Sequence, residues 1–287
     1  MASFVMHHVA GVQFLKKINE TYKVKIEEEK IYNFLLGNLI VDSSNIKLNL
    51  PDGLTKEELI DKKNNYRLKI QQEKIATHFR NEEDEKLCIQ VPNISLFIEK
   101  YKNLISCDFS SLGYLFHLYT DNLFFGYLFN KTFQCLDSYQ NKTNYLCDLK
   151  YIRILKNNKL VLAQDFFSGE SQTSLYKDYT VMNKMILMKY NIDFDLQKMN
   201  KYAVCFNNPG IKEVNYKNVS TVINQTHKFI NDSCEIKDSK LNVFKEDEVY
   251  DFIDYVGIKF LEEYKDVILQ LLKKNNEKQI IKSKKFN

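Results

Sequence analysis

Apolar residues recur along this chain mostly at helical spacing. From Phe4 to about Lys17, the positions Phe4, Val5, Val9, Val12, Phe14, Leu15 and Ile18 trace a buried helix, and from Glu28 to Val41 the positions Ile31, Phe34, Leu35, Leu36, Leu39 and Ile40 repeat the pattern. The polar run Asp42-Ser43-Ser44-Asn45 ends that second helix. Residues 47–73 read as a polar excursion, with Pro51-Asp52-Gly53 as a turn and Thr55 to Glu58 as a capping box opening a short helix. The charged run Arg80 to Lys86 reads as a solvated loop or a helix start, and Pro92 to Ser95 leads into a helix through Tyr101. Ser110 to Phe133 forms the longest apolar and aromatic stretch, predicted as a helix through the core because it is apolar nearly all round.

The second half is read more coarsely. Lys150 to Leu162 predicts a short hairpin or strand pair around Asn157-Asn158. Leu175 to Tyr190 predicts a helix, Glu246 to Lys274 one helix or two, and Lys273 to Asn287 a frayed basic tail. No internal repeat is visible. The expected organisation is a helical core over 1–135, a mainly helical part over 136–274 packed on it, and a disordered tail over 275–287. The fold class is all-α, with a small irregular or β-hairpin insertion near 150–162.

Composition narrows this further. Eight glycines and three prolines in 287 residues stand against about 20 and 14 expected at average usage. All-β folds and glycine-cradled nucleotide sites are thereby disfavoured, and neither the P-loop nor the dinucleotide glycine pattern is present. The net charge of +4 is too small to call for a stable nucleic-acid partner. No apolar run approaches the length of a membrane span, and Met1 to His8 has no basic n-region or cleavage site of a signal peptide, so a cytoplasmic, reducing location is expected. The six cysteines form no paired spacing; they read as small buried hydrophobes.

Four of the five histidines fall within the first 117 residues. His117 and Asp121, at i and i+4, share one face of the most apolar helix. A buried carboxylate there needs a partner, either His117 itself, a helix end or a shared cation. Asp42 closes an apolar helix where the helix dipole disfavours a carboxylate unless something positive stands beside it. His78 lies in a short apolar pocket, and His7 faces the apolar side of the first helix with His8 about 100° round. Together these donors favour coordination over coincidence, and a set of nitrogen and oxygen ligands without thiolate suits Zn²⁺ or another divalent metal. Arg80 is a candidate for binding a substrate phosphate, with a solvated surface arginine as the alternative. Asp178 is either an added ligand or general base, or an exposed carboxylate at a helix N-terminus, and His227 reads as surface.

The ordered segments Met-Ala-Ser-Phe-Val-Met-His7-His-Val-Ala-Gly11, Phe34-Leu-Leu-Gly-Asn-Leu-Ile-Val-Asp42, Ala76-Thr-His78-Phe-Arg and Leu112-Gly-Tyr-Leu-Phe-His117-Leu-Tyr-Thr-Asp121 resemble the zinc-dependent phospholipase C family, especially its short bacterial members. The resemblance covers roughly the first 130 residues; Leu175 to Asn183 is similar to a segment of the same members. It implies a helical hydrolase with one or two zinc ions. Asp42, His78, His117 and Asp121 would surround one metal, and His7 would bind a second bridged by Asp121. Asp42 is assigned a catalytic role as well, and a metal-activated water would attack a phosphoester. The chain departs from the secreted members in having no tryptophan and no second histidine pair downstream of His227, so a trinuclear site is not expected. The alternatives are an interaction protein with a structural metal, a metal-free helical scaffold, and an HD-type phosphohydrolase, which lacks its required adjacent His-Asp pair here.

Overall fold

The computed structural model describes residues 2–43, 55–168, 171, 173–237 and 240–274. The expected breakers Ser44-Asn45, the turn Pro51-Asp52-Gly53 and the tail 275–287 lie outside the described residues. The architecture is mostly helical with one small antiparallel sheet.

Helix α1 (Phe4–Tyr22) starts at Ser3, whose hydroxyl accepts from the Met6 amide, and stops at Lys23 in the left-handed region. Helix α2 (Glu28–Ile40) runs from a polar first turn into a fully buried second half, Phe34 to Ile40. Helix α3 (Lys56–Thr77) opens with the expected capping box, Thr55 against Glu58. It is not short, however: it continues for 22 residues to Thr77. The stretch lacks an apolar stripe, which is why its length escapes a periodicity reading. Helix α4 (Ile94–Ile105) is capped by Asn93 and extends one turn beyond Tyr101, where the backbone departs from helical dihedrals.

Helix α5 (Phe109–Leu123) is buried from Phe109 through Asp121. It does not continue intact to Phe133. The chain widens into a π-helical segment over Phe124–Phe129, closes in a short helix α6 (Asn130–Thr132), and turns extended at Phe133 to begin β1 (Phe133–Leu136). Strands β2 (Tyr151–Ile154) and β3 (Lys159–Leu162) are the expected hairpin, with Asn158 in the left-handed region at the turn. β1 adds to β2 antiparallel, Phe133 opposite Ile154. Helices α7 (Ala163–Phe167), α8 (Leu175–Tyr190), α9 (Leu196–Ala203), α10 (Val219–Glu235) and α11 (Glu246–Glu263) follow, and a further helical stretch covers 265–274.

Two contacts position the site. α2 and α5 pack backbone against backbone: a methyl on Gly37 would overlap the Ser110 carbonyl, and one on Gly113 would overlap the Phe34 carbonyl. α1 lies across this pair and against α8, α10 and α11. Its Phe14 ring stacks on Phe116 of α5 at 4.8 Å and meets Phe260 of α11 edge-on at 5.1 Å.

The cysteines do not follow the expectation of burial. Cys135 is buried, Cys88 is half-buried and Cys107, Cys147, Cys205 and Cys234 are exposed. The mean tendency of the residue type fails here because most of these cysteines sit in the polar faces and connections outside the aromatic core. No helix among the described residues is long and apolar enough to cross a membrane.

Candidate metal centre

Four elements deliver five side chains to one place. α1 supplies His7, the turn after α2 supplies Asp42, the end of α3 supplies His78, and α5 supplies His117 and Asp121. None is more than 2% exposed. His7 Nε2 lies 3.3 Å from Asp121 Oδ1; His78 Nε2 lies 3.4 Å from Asp121 Oδ2 and 3.6 Å from Asp42 Oδ1; His117 Nε2 lies 3.7 Å from Asp121 Oδ2. His7, Asp42 and His117 form one group of donor atoms within 4.8 Å of one another, and His78, His117 and Asp121 form another.

The surroundings set the orientation of the imidazoles. The Asn38 carbonyl lies 2.7 Å from His117 Nδ1, and a carbonyl only accepts, so Nδ1 carries the proton and Nε2 presents its lone pair. His78 Nδ1 lies 3.1 Å from the Lys74 carbonyl, toward which it donates, and 3.0 Å from the Thr77 hydroxyl. Asn38 reaches the other way too, its side-chain amide donating to the His7 carbonyl at 2.6 Å and tying α2 to α1. The backbone around His78 is pinned by Tyr114, whose hydroxyl donates to the Thr77 carbonyl at 2.6 Å. Phe79, in the left-handed region, is caged by Phe97, Tyr101 and Tyr114. Burial first, and the neighbouring His7 second, hold the His117 ring well below the usual histidine range, so it is neutral at pH 7.

The donor set fits a divalent cation on two grounds. First, His7 Nε2, His78 Nε2, His117 Nε2, Asp42 Oδ1 and Asp121 Oδ2 are all buried without a hydrogen-bond partner; orphaned atoms of this kind are costly. Second, the imidazole–carboxylate separations of 3.3–3.7 Å are too long for charge-assisted hydrogen bonds, which close to about 2.7–2.9 Å. They match the edges of a coordination polyhedron, about 3.3–3.6 Å for metal bonds of ~2.0–2.2 Å. Asp121 Oδ1 meanwhile accepts from the Ala2 amide at 2.7 Å, which fixes the carboxylate plane.

The remaining candidates fall elsewhere. Arg80 is not a solvated surface residue: its side chain is 11% exposed, Nη1 donates to Gln90 Oε1 at 2.5 Å and Nε pairs with Glu85 Oε1 at 3.3 Å. Asp178 is not an exposed carboxylate. It is buried, and its oxygens accept from the backbone amides of Asn242, Val243 and Phe244 at 2.6, 2.9 and 2.9 Å, clasping the chain before α11. His8 is buried against Phe194, edge to face at 4.9 Å, and burial pushes its ring down to about 4. His227 is partly exposed beside Phe194.

Reading the sequence alone misses Asn38, Lys74 and the glycine pair. Gly37-Asn38 lies inside the segment ending at Asp42, and Gly113 four residues before His117; small residues on apolar helices were the available signal. A surface cavity of about 420 Å³, lined by Cys88, Asn130, Gln134, Cys135 and Lys142 among others, includes none of the five donors. Compared with protein-family models, curated proteins and solved structures, the chain matches none.

Proposed function

We propose that this protein is a metal-dependent hydrolase of phosphoesters. The observation that carries the reading is the set of five buried nitrogen and oxygen donors left without hydrogen bonds and held at coordination spacing. His7, Asp42, His78, His117 and Asp121 would hold the cation, with zinc the first choice for an imidazole–carboxylate set. Five donors exceed the four of a closed structural zinc site, which favours two cations, each with room for water. Asp121 turns one oxygen to His7 and the other toward His78 and His117, the disposition of a bridging carboxylate. A cation so bound supplies Lewis acidity toward a phosphoryl oxygen and lowers the pKa of water. The chain's own part is to keep Nε2 of His117 and His78 unprotonated through the Asn38 and Lys74 carbonyls, and to exclude bulk water through the aromatic packing around α5. Asp42, at the chain turn after α2, would orient the attacking water besides helping to hold the cation. The likeness of the four ordered segments to the zinc-dependent phospholipase C family supports the same chemistry.

The burial of every donor favours one second reading, a structural cation in an interaction protein. One experiment separates the two. Purified protein is analysed for bound metal and assayed with both p-nitrophenyl phosphate and bis-(p-nitrophenyl) phosphate, beside Asp121→Asn. The hydrolase reading expects one or two equivalents of metal and turnover that both vanish in the variant. Metal without turnover supports the structural reading. Less than a tenth of an equivalent after zinc addition overturns both.

A further inference from the structure

One cation beside the carboxylates is left unspent. Lys74 stands four residues before His78, on the same face of α3. Its carbonyl orients the His78 ring, while Asp42 and Asp121 both act electrostatically on its ammonium, as does the Arg80 guanidinium. Arg80 is committed to Gln90 and Glu85. The Lys74 ammonium makes no hydrogen bond or ion pair within 4 Å among the described residues. It is also placed differently from the donors: His7, Asp42, His78, His117 and Asp121 are buried, whereas Lys74 is only partly so. Lys74 is thus the partly exposed cationic side chain one helical turn from the buried His78.

We propose that Lys74 binds a phosphate-class oxyanion beside the metal centre, in the role the sequence suggested for Arg80. The assignment rests on the metal reading above. The charge balance with two cations favours it: two divalent cations exceed the charges of Asp42 and Asp121 by two, and Lys74 adds a third positive charge on a group with three donors. A tetrahedral oxyanion with two negative charges is the complement. Lysine suits this place as a point charge that follows the phosphate rather than a fixed bidentate fork. The substrate class that follows is a phosphoester with a terminal, doubly charged phosphoryl group, preferred over a diester carrying one charge.

The test is titration of zinc-loaded protein with inorganic phosphate, followed by calorimetry, with zinc content measured on the same samples. Lys74→Gln, and Lys74→Met as a second charge-removing variant that keeps the aliphatic stem, are expected to weaken phosphate at least 10-fold at unchanged zinc content. Lys74→Arg is expected to stay within about 3-fold of the unsubstituted protein. Phosphate binding within 2-fold of the unsubstituted protein in either charge-removing variant, or none by zinc-loaded unsubstituted protein, overturns the assignment and leaves the metal reading standing. Failure of the unsubstituted protein to take up zinc overturns the metal reading, and this one with it.

Discussion

The rings of His7 and His117 stack face to face, with centroids 3.7 Å apart and planes within 11°. Two helices, α1 and α5, are joined by this contact, and each ring turns Nε2 toward a different oxygen of Asp121. Burial first, and His7 second, keep the His117 ring of this stack neutral. His7→Phe keeps a flat ring in the stack and removes one donor. Its expected outcome is a metal-free protein within about 1 kcal/mol of the unsubstituted one, with zinc affinity at least 100-fold lower, read by competition with a chelating indicator. Unchanged zinc affinity would remove His7 from the donor set.

Metal removal has a thermal signature. A ligand that binds only the folded state adds about 2.7 kcal/mol at 100 times its Kd. For a chain of this size each kcal/mol moves the midpoint by about 2–4 °C. Chelation is therefore expected to lower the melting temperature by about 5–10 °C, and zinc to restore it. Asp121→Asn should melt at one temperature with or without zinc; a zinc-dependent shift in that variant would count against Asp121 as a ligand.

Gly37 and Gly113 set the separation of α2 and α5. Alanine at either would drive a methyl into a backbone carbonyl, which no rotamer change relieves. Each substitution is expected to cost about 3 kcal/mol or more and to loosen the Asn38–His117 bond, lowering zinc affinity as well as the urea midpoint. Gly126, whose added methyl would meet nothing within 4 Å, is the control. Equal effects at all three positions would refute the close-packing account.

The histidines that carry no metal matter for acid stability. Burial holds His8 at about 4, against roughly 6.5 in the unfolded chain. Between those values the unfolded chain binds a proton that the folded chain refuses, so stability is full above pH 6.5 and falls as the pH drops toward 4. His8 alone accounts for about 3 kcal/mol over that window; His117, also depressed, adds in the same direction in metal-free protein. Urea midpoints of metal-free protein from pH 7.5 to 4.5 should show the decline, and His8→Phe should flatten it. An unaltered slope in His8→Phe would reassign the effect.

Much of the helical frame could be read from periodicity, because α1, α2 and α8 carry apolar stripes of ordinary spacing. α8 is found over the predicted residues, Leu175–Tyr190. The π segment and β1 could not, since an unbroken aromatic run from Phe124 to Phe133 is equally compatible with helix or strand. α10 was readable: Val219, Val222, Ile223, Thr226 and Ile230 form a buried stripe at helical spacing, diluted by the polar residues between them. The five donors could be named because histidine and aspartate on apolar helices conflict with burial. Lys74 could not, because a lysine in a charged stretch looks like solvent-facing decoration until the fold places Asp42 and Asp121 near it. Asp178 was misjudged for the opposite reason: its partners are main-chain amides more than 60 residues away, which no side-chain pattern encodes.

The close seating of α2 on α5 also limits the size of guest the protein can accept. On the metal reading, Asp42, His117 and Asp121, carried by two helices that cannot spread, would be gauged for bonds near 2 Å, the range of zinc and its first-row neighbours. Calcium, which requires 2.3–2.6 Å and six to eight oxygens, would have to wedge the bundle open. On the metal reading, discrimination among cations would thus be delegated to two residues that have no side chain at all.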